Sequence, residues 1–375
     1  MKIRLSSTLL ILLQFLCLYA CVEPYDVTYN LNSDLLTVEG FVPDQPGSPI
    51  NISISRSLDK NYYAVPLKGC KVEVKAGDGN AIIYQEVTDG VYAPPSSFLG
   101  KEGQTYQLHF QTPDGKVYES SKEPLNTVPA IKKIYQQFDR NGILDKTGKR
   151  VIGSTVDVYV DFDDPKGIKN YYLWRWKRYE AQNICITCEG GLLNFYGGIG
   201  RCDKINARNP PTYDYQCNQS CWDVFYNDDV NILADDFTNG KSVEAQLIAK
   251  VPFHTYTGSL LEIEQVGISR DAYLYYKLLR DQNQTTGTLT DTPPAPIIGN
   301  IQNINDPNDK VVGYFGAASS KIVNYWVDRS IYTGAILVPI LGREANFEPS
   351  TGLRPPSYPC VMNKFRTPIR PQNWR

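Results

Sequence analysis

Between residue 34 and about residue 125, apolar and polar side chains alternate with a period of two, and no other feature restricts the fold as tightly. Leu36-Thr37-Val38-Glu39-Gly40-Phe41-Val42 alternates, and so does Ile50-Asn51-Ile52-Ser53-Ile54-Ser55. Cys70-Lys71-Val72-Glu73-Val74-Lys75-Ala76 repeats the pattern and then turns at Gly77-Asp78-Gly79. Ala81 to Val87, Tyr106-Gln107-Leu108-His109-Phe110 and Val117-Tyr118-Glu119 complete the series. Successive side chains of a strand point to opposite faces, so each run can bury one face and wet the other. With turn signals every ~8–12 residues, the pattern predicts an antiparallel β-sandwich over 34–125. His109 occupies a polar position of its strand, which places it toward solvent rather than in a ligand set.

A second unit is expected over 126–345, also β-rich and sandwich-like. Its strands are Ile131 to Tyr135, Val156 to Phe162, Tyr171 to Trp176, Val243 to Pro252, Leu260 to Ile268 and Lys321 to Val327. One helix begins at Ser269, whose hydroxyl suits an N-cap, with Asp271 in the first turn to complement the helix dipole. It runs to about Gln282, and Ala272, Tyr275, Tyr276 and Leu279 recur at the spacing of a face packed on a sheet. Residues 283–310, with Pro293, Pro294 and Pro296, read as an extended loop, and 346–375 as an irregular tail. The whole is mainly β, in keeping with 26 Tyr, 25 Pro and 28 Gly, which favour short strands joined by turns.

The first residues read as a targeting segment. Lys2 and Arg4 precede the apolar run Leu9 to Leu18, too short to span ~30 Å of hydrocarbon. Leu18-Tyr19-Ala20-Cys21 then sets a small residue before a cysteine, the layout of a lipoprotein cleavage site. The expectation is a signal peptide over 1–20, lipid attachment at Cys21, and a tether over 21–33. Two or three acyl chains on one residue suffice for stable anchoring. The chain would hold membrane lipid through Cys21. Its net charge of -2 leaves no electrostatic footprint for nucleic acid. Two histidines, His109 and His254, exclude His-based triads and polyhistidine metal sites by count.

Five cysteines fall between Ala181 and Trp222, in a Gly-, Asn- and Tyr-rich stretch read as an insertion into the second unit. In an exported chain disulfides are the default. Cys70 lies in a strand and is set aside, leaving Cys185, Cys188, Cys202, Cys217, Cys221 and Cys360 for three bridges, with Cys360 pinning the tail to the insertion. Six cysteines permit 15 connectivities, and the sequence does not choose among them. The alternative is a zinc site from Cys185, Cys188, Cys217 and Cys221, whose thiolates have tetrahedral ligand spacing.

Other chemistry is thin. Asp161, Asp163 and Asp164 offer hard oxygens for Ca²⁺, against the plainer reading of a turn that closes a strand, and Asp228, Asp229, Asp235 and Asp236 present the same choice. Trp174, Trp176 and Trp222 could stack on sugar rings or simply fill a core. No nucleophile elbow, P-loop or dinucleotide fingerprint occurs, and no catalytic residue, metal or cofactor is expected.

The order of segments carries a resemblance. LLTVEGFVPDQPGSPINISISRS, KGCKVEV, GVYAP, EGQTYQLHF, FDDPKGIKNYYLWRW and DTPPAPIIGNI…NDPNDKVVGYFGAAS together resemble the Bacteroidota lipoproteins of domain of unknown function 4249. The resemblance implies an immunoglobulin-like N-terminal sandwich, a second β-rich domain and outer-membrane anchoring. It also implies an accessory role beside TonB-dependent transporters, with an outer-membrane β-barrel as partner and no catalytic residues. Glu23 and Asp26 resemble the acidic context of surface-exposed members, which favours the cell surface over the periplasmic face. The function expected is therefore non-enzymatic, in nutrient uptake or barrel assembly, with a surface glycan-binding module as the alternative.

Overall fold

The computed structural model describes residues 35–45, 52–57, 64–143, 153–188, 192–196, 199–203, 213–227, 229–283, 297–334, 336 and 357–375. The signal peptide, Cys21 and the tether lie outside the described residues. The described chain is mainly β with one helix.

The alternating N-terminal runs do form strands, but they close on themselves instead of forming an immunoglobulin-like sandwich. Leu35–Pro43 pairs with Ile52–Ser57, which pairs in turn with Val91–Ala93. Val91–Ala93 pairs with Ala81–Thr88, and the ladder continues through Lys71–Ala76, Thr105–Gln111 and Val117–Ser120. Val117–Ser120 takes Ile298–Asn303, which takes Lys310–Val312, and Lys310–Val312 returns in parallel to Leu36 and Thr37 of the first strand. Nine strands thus complete a ring; the eighth, Ile298–Asn303, comes from the segment expected to be a loop, and the ninth starts at that segment's last residue. Closure removes the exposed edges an open sheet would carry. The alternation decides what fills the interior: Tyr106, Leu108 and Phe110 of one strand meet Val72 and Val74 of its neighbour, all at most 2 % exposed. His109 faces out, 3.3 Å from Glu73 and 4.0 Å from Glu119.

Two glycines make the ring's seam possible. Gly313 has φ +97°, and a Cβ there would lie 2.1 Å from the Val38 carbonyl oxygen. A Cβ on Gly299 would lie 1.4 Å from the Gly313 oxygen, so the backbones approach as only glycine permits.

Beyond the ring, Ile131–Asp139, Thr155–Asp163 and Ser242–Pro252 form a three-stranded antiparallel sheet. It lies on a second layer built around Tyr171–Ala181. That strand has Ser259–Gly267 on one side, and Asn231–Ala234 and Trp222–Tyr226 on the other. Tyr172 and Trp174 point into the space between layers and meet Val158, Val160, Phe162, Leu261 and Ile263. Tyr171 and Leu173 point the opposite way, onto the helix side.

The helix, Arg270–Asn283, starts where the sequence places it: Ser269 Oγ accepts the Ala272 N–H at 3.1 Å. Ala272 is 1 % exposed, while Tyr275 and Tyr276 stay half-buried beside Tyr314 and Phe41. The two units share one strand. Phe315–Val327 runs parallel to residues 40–43 through its first four residues and antiparallel to Ser259–Gly267 through the rest. Buried Glu123 reinforces this junction by accepting from Ser121, Ser269, Tyr314 and Asn300.

The insertion and the tail are more ordered than their composition predicts. Strands Ile184–Cys188 and Tyr213–Cys217 pair, as do Leu192–Tyr196 and Ile199–Asp203. Ser357–Tyr358 joins the first pair, Arg366–Thr367 pairs with Trp222 and Asp223, and Trp374 packs edge-on against Trp222 and Trp326.

Candidate functional site

A groove of about 640 Å³ opens where the two layers part along one edge. Its floor and walls come from Trp176 and Arg178 of the central strand, Phe225 and Tyr226 opposite them, and Gln246 to Lys250 of the facing sheet. Ser242–Pro252 is an edge strand: within its sheet it has Thr155–Asp163 on one side, and its other side follows the groove. A bulge shapes this edge. Ala245 sits at φ 56° with its N–H donated to Asp161, and register slips follow along the pair. Asn231 and Gln246 both donate to the Leu247 carbonyl, at 2.7 and 3.3 Å, and so cap the start of the groove.

The same alternation that sends Trp174 into the core sends Arg178 and Glu180 after it, and the layer ends in buried charge. Glu180 is 2 % exposed and Arg329 is fully buried; they meet by two parallel hydrogen bonds of 2.9 and 2.6 Å. Arg178 Nε lies 2.9 Å from the same carboxylate, with its guanidinium carbon 4.7 Å from the Phe225 ring centre. His254 Nε2 stands 3.8 Å away. Burial alone would raise the Glu180 pKa, but Arg178, Arg329 and His254 outweigh it and hold the carboxyl below its ordinary value. Burial pushes His254 below its ordinary value against the opposing pull of Glu180. Two cations clamp one carboxylate, which fixes the groove wall and leaves Glu180 no role as a proton carrier near neutrality.

A second pocket, about 370 Å³, opens where the helix meets the shared sheet. Tyr275, Tyr276 and Leu279 form one wall, Phe41 and Tyr314 the other, with Glu39 and Arg175 at the rim. Arg175 is held by Glu264 at 2.9 Å and lies 5.3 Å from the Phe41 ring centre. Burial pushes the Tyr275 hydroxyl up to about 12, aided by Glu39, so it remains a proton donor. The aromatic stripe read as core therefore divides: Ala272 is core, and the tyrosines line a cavity.

The cysteines resolve in part. Cys185 bonds Cys217, and Cys221 bonds Cys360, so the tail is pinned to the insertion as expected. Cys188 and Cys202 lie on strands whose side chains are outside the described ones. Cys70 is a buried thiol. Sulfurs of Cys185, Cys217 and Cys221 lie within 4.8 Å of one another, but the bridges take up three of the four thiolates the zinc alternative requires. Arg366 braces the cluster, donating to Asp223 and to the Cys185 carbonyl at 2.7 Å each.

The aspartate clusters close loops. Asp161 takes the Ala245 N–H, Asp163 pairs with Lys132 at 2.8 Å, and Asp164 accepts from Tyr172 and Gly240. Asp235 accepts from Asn170 and Asn239, and Asp236 pairs with Lys169. Asp229 lines the groove, and Asp228 lies outside the described residues. Of the three tryptophans, Trp174 is fully buried with its indole N–H on Gln265, Trp222 is 6 % exposed, and Trp176 reaches the groove. Nothing in the sequence marks Arg329, His254 or Arg366 as site residues: an arginine in a turn or the tail carries no local sign of a carboxylate 149 or 143 positions away.

Among the described residues no helix is long and apolar enough to cross a membrane. A family model described as "Domain of unknown function (DUF4249)" matches residues 22–322. No curated protein matches the chain.

Proposed function

The chain belongs to the family of domain of unknown function 4249, and from that premise we propose that it is a non-enzymatic accessory lipoprotein of a Bacteroidota outer membrane. In this reading Cys21 carries the lipid and the protein stands at the cell surface. An outer-membrane β-barrel protein, such as a TonB-dependent transporter, places an extended segment in the sandwich-edge groove, serving nutrient uptake or assembly of the barrel. One observation carries the reading: an edge strand, Ser242–Pro252, runs beside an open groove. Such an edge offers backbone groups to an added strand, while alternate side chains find pockets. The lining favours binding over chemistry. Among its described residues Asp229 is the one carboxylate, and none is Ser, Thr, Cys or His, so they hold no hydroxymethyl or thiol nucleophile beside an imidazole base.

Co-purification from membranes solubilised in mild detergent tests this. A barrel protein should come down with the chain, and Gln246→Trp, which fills the groove beside Asn231, should cut its recovery at least tenfold without lowering the melting temperature. Recovery of the unsubstituted chain as a lone monomer overturns the reading.

The helix pocket favours a second reading, glycan binding. Tyr275, Tyr276 and Phe41 beside Glu39 and Arg175 supply ring faces and hydrogen-bonding groups of the kind that hold sugars. A glycan array decides it, since no binding to any polysaccharide removes it.

A further inference from the structure

Two loops at one end of the sandwich expose large apolar side chains. Phe237 is 88 % exposed and Ile168 is 60 % exposed. They are neighbours, because Asn239 Nδ2 donates both to the Ile168 carbonyl at 2.6 Å and to Asp235 at 2.9 Å. The loops that present them are built firmly. Asp235, 1 % exposed, takes the Asn170 N–H, and the Thr238 and Asn239 N–H groups return to its carbonyl. Asp164 reaches across to the Gly240 N–H. Gly240, at φ +72°, lies so close to the other loop that an added Cβ would fall 2.8 Å from the Lys166 Cβ. The surrounding charge is basic on balance: Lys166, Lys169 and Lys241 are all exposed, while of the exposed carboxylates Asp236 lies 2.6 Å from Lys169 and Asp163 is paired with Lys132.

From this arrangement we propose that the paired loops are a lipid-facing tip, in which Phe237 and Ile168 enter the interfacial zone of an anionic phospholipid surface. A ring and a branched aliphatic chain at the apex bury apolar area just below the headgroups. Lysine stems lie along that apolar surface while their ammonium groups stay at headgroup level and meet negative charge. A protein groove would need an apex shaped for one partner, whereas a fluid surface accepts two unpaired side chains on a stiff support. The tip acts independently of any lipid on Cys21, which fixes distance to the membrane but not orientation.

The test uses the full chain labelled with nitrobenzoxadiazole at Phe237→Cys, at Ile168→Cys or, as a control, at Ile369→Cys, since Ile369 is also 63 % exposed. Vesicles of phosphatidylglycerol in phosphatidylcholine should shift the emission of the first two labels to the blue and allow quenching by spin-labelled lipid, and leave the third unchanged. Reversing Lys166, Lys169 and Lys241 to Glu should lower the partitioning onto these vesicles by at least on the order of a hundredfold, about fivefold for each lysine charge lost. Labels at 237 and 168 that stay as wet as the one at 369 overturn the proposal. So does insertion that ignores phosphatidylglycerol and the lysine reversals. A blue shift without any vesicles overturns it in favour of self-association through the tip.

Discussion

Replacing Arg329 by Met should destabilise the protein substantially although the position touches no solvent. Arg329 is fully buried, gives Glu180 two hydrogen bonds of 2.9 and 2.6 Å, and gives a third to the Thr257 carbonyl at 3.1 Å. Met fills similar volume but leaves Glu180, 2 % exposed, with Arg178 as its remaining close cation. Breaking a buried ion pair from one side costs about 3–5 kcal/mol, and Arg178 places this case near the lower figure. At about 2.1 cal/mol/K per residue, 3 kcal/mol lowers the melting temperature of a 375-residue chain by ~4 °C. Urea denaturation of parent, Arg329→Met, Glu180→Leu and the double variant gives the assay. The double variant should lose less than the two single losses added, because Arg178 alone, rather than both arginines, is then left without its carboxylate. A loss below ~1 kcal/mol for Arg329→Met, or strict additivity, refutes the argument. The pH dependence supplies a second arm. Glu180 titrates below its ordinary 4.5 when folded, so its contribution is intact above that value and lost as pH falls through the folded one. His254 is held below 6.5, so the unfolded chain takes up a proton first, and stability begins to fall as pH drops past 6.5. Both act in the same direction, and His254→Gln should remove the upper step alone.

Cys360→Ser opens the bridge to Cys221, 139 positions away, and the loop-entropy model gives a cost of about 5 kcal/mol; limited proteolysis should then release the tail from residue 357 onward, and a tail that stays protected counts against the bridge as its main tether. Gly313→Ala forces a Cβ to 2.1 Å from the Val38 oxygen at φ +97°, so it should cost at least ~2 kcal/mol in chemical denaturation, where an ordinary surface Gly→Ala is near neutral. Cys21→Ala should move the protein from the membrane pellet to the soluble fraction on cell lysis, and unchanged sedimentation would remove Cys21 as the anchor.

Much of this molecule is written locally. The period-two runs became strands with the alternate residues inside, Ser269 capped the helix, and Cys360 bridged to the insertion. What escaped was pairing at long range. Ile298-Gly299-Asn300-Ile301-Gln302-Asn303 has two apolar side chains inside a Pro-, Asn- and Asp-rich context and reads as a loop. It is a strand because Val117–Ser120 and Lys310–Val312 give its backbone partners on both sides. A two-layer sandwich and a closed ring demand the same alternation, so the N-terminal pattern does not distinguish them. The candidate groove was partly legible through Trp176, but its charged wall joins residues from positions 178, 180, 254 and 329. Arg and Glu in a strand pattern ordinarily mark the wet face. Here Arg178 and Glu180 lie inside because each found a partner there.

The seam of the N-terminal ring has a consequence for the order in which the chain takes shape. Its first seven strands end at Ser120, and the two that close it begin at Ile298. Until the ribosome or a translocation channel has delivered that later segment, Leu35–Pro43 and Val117–Ser120 stand with open edges, free to recruit the wrong neighbour. The first unit to emerge is therefore among the last to be finished, and a chain cut short before residue 298 leaves a sheet that cannot close.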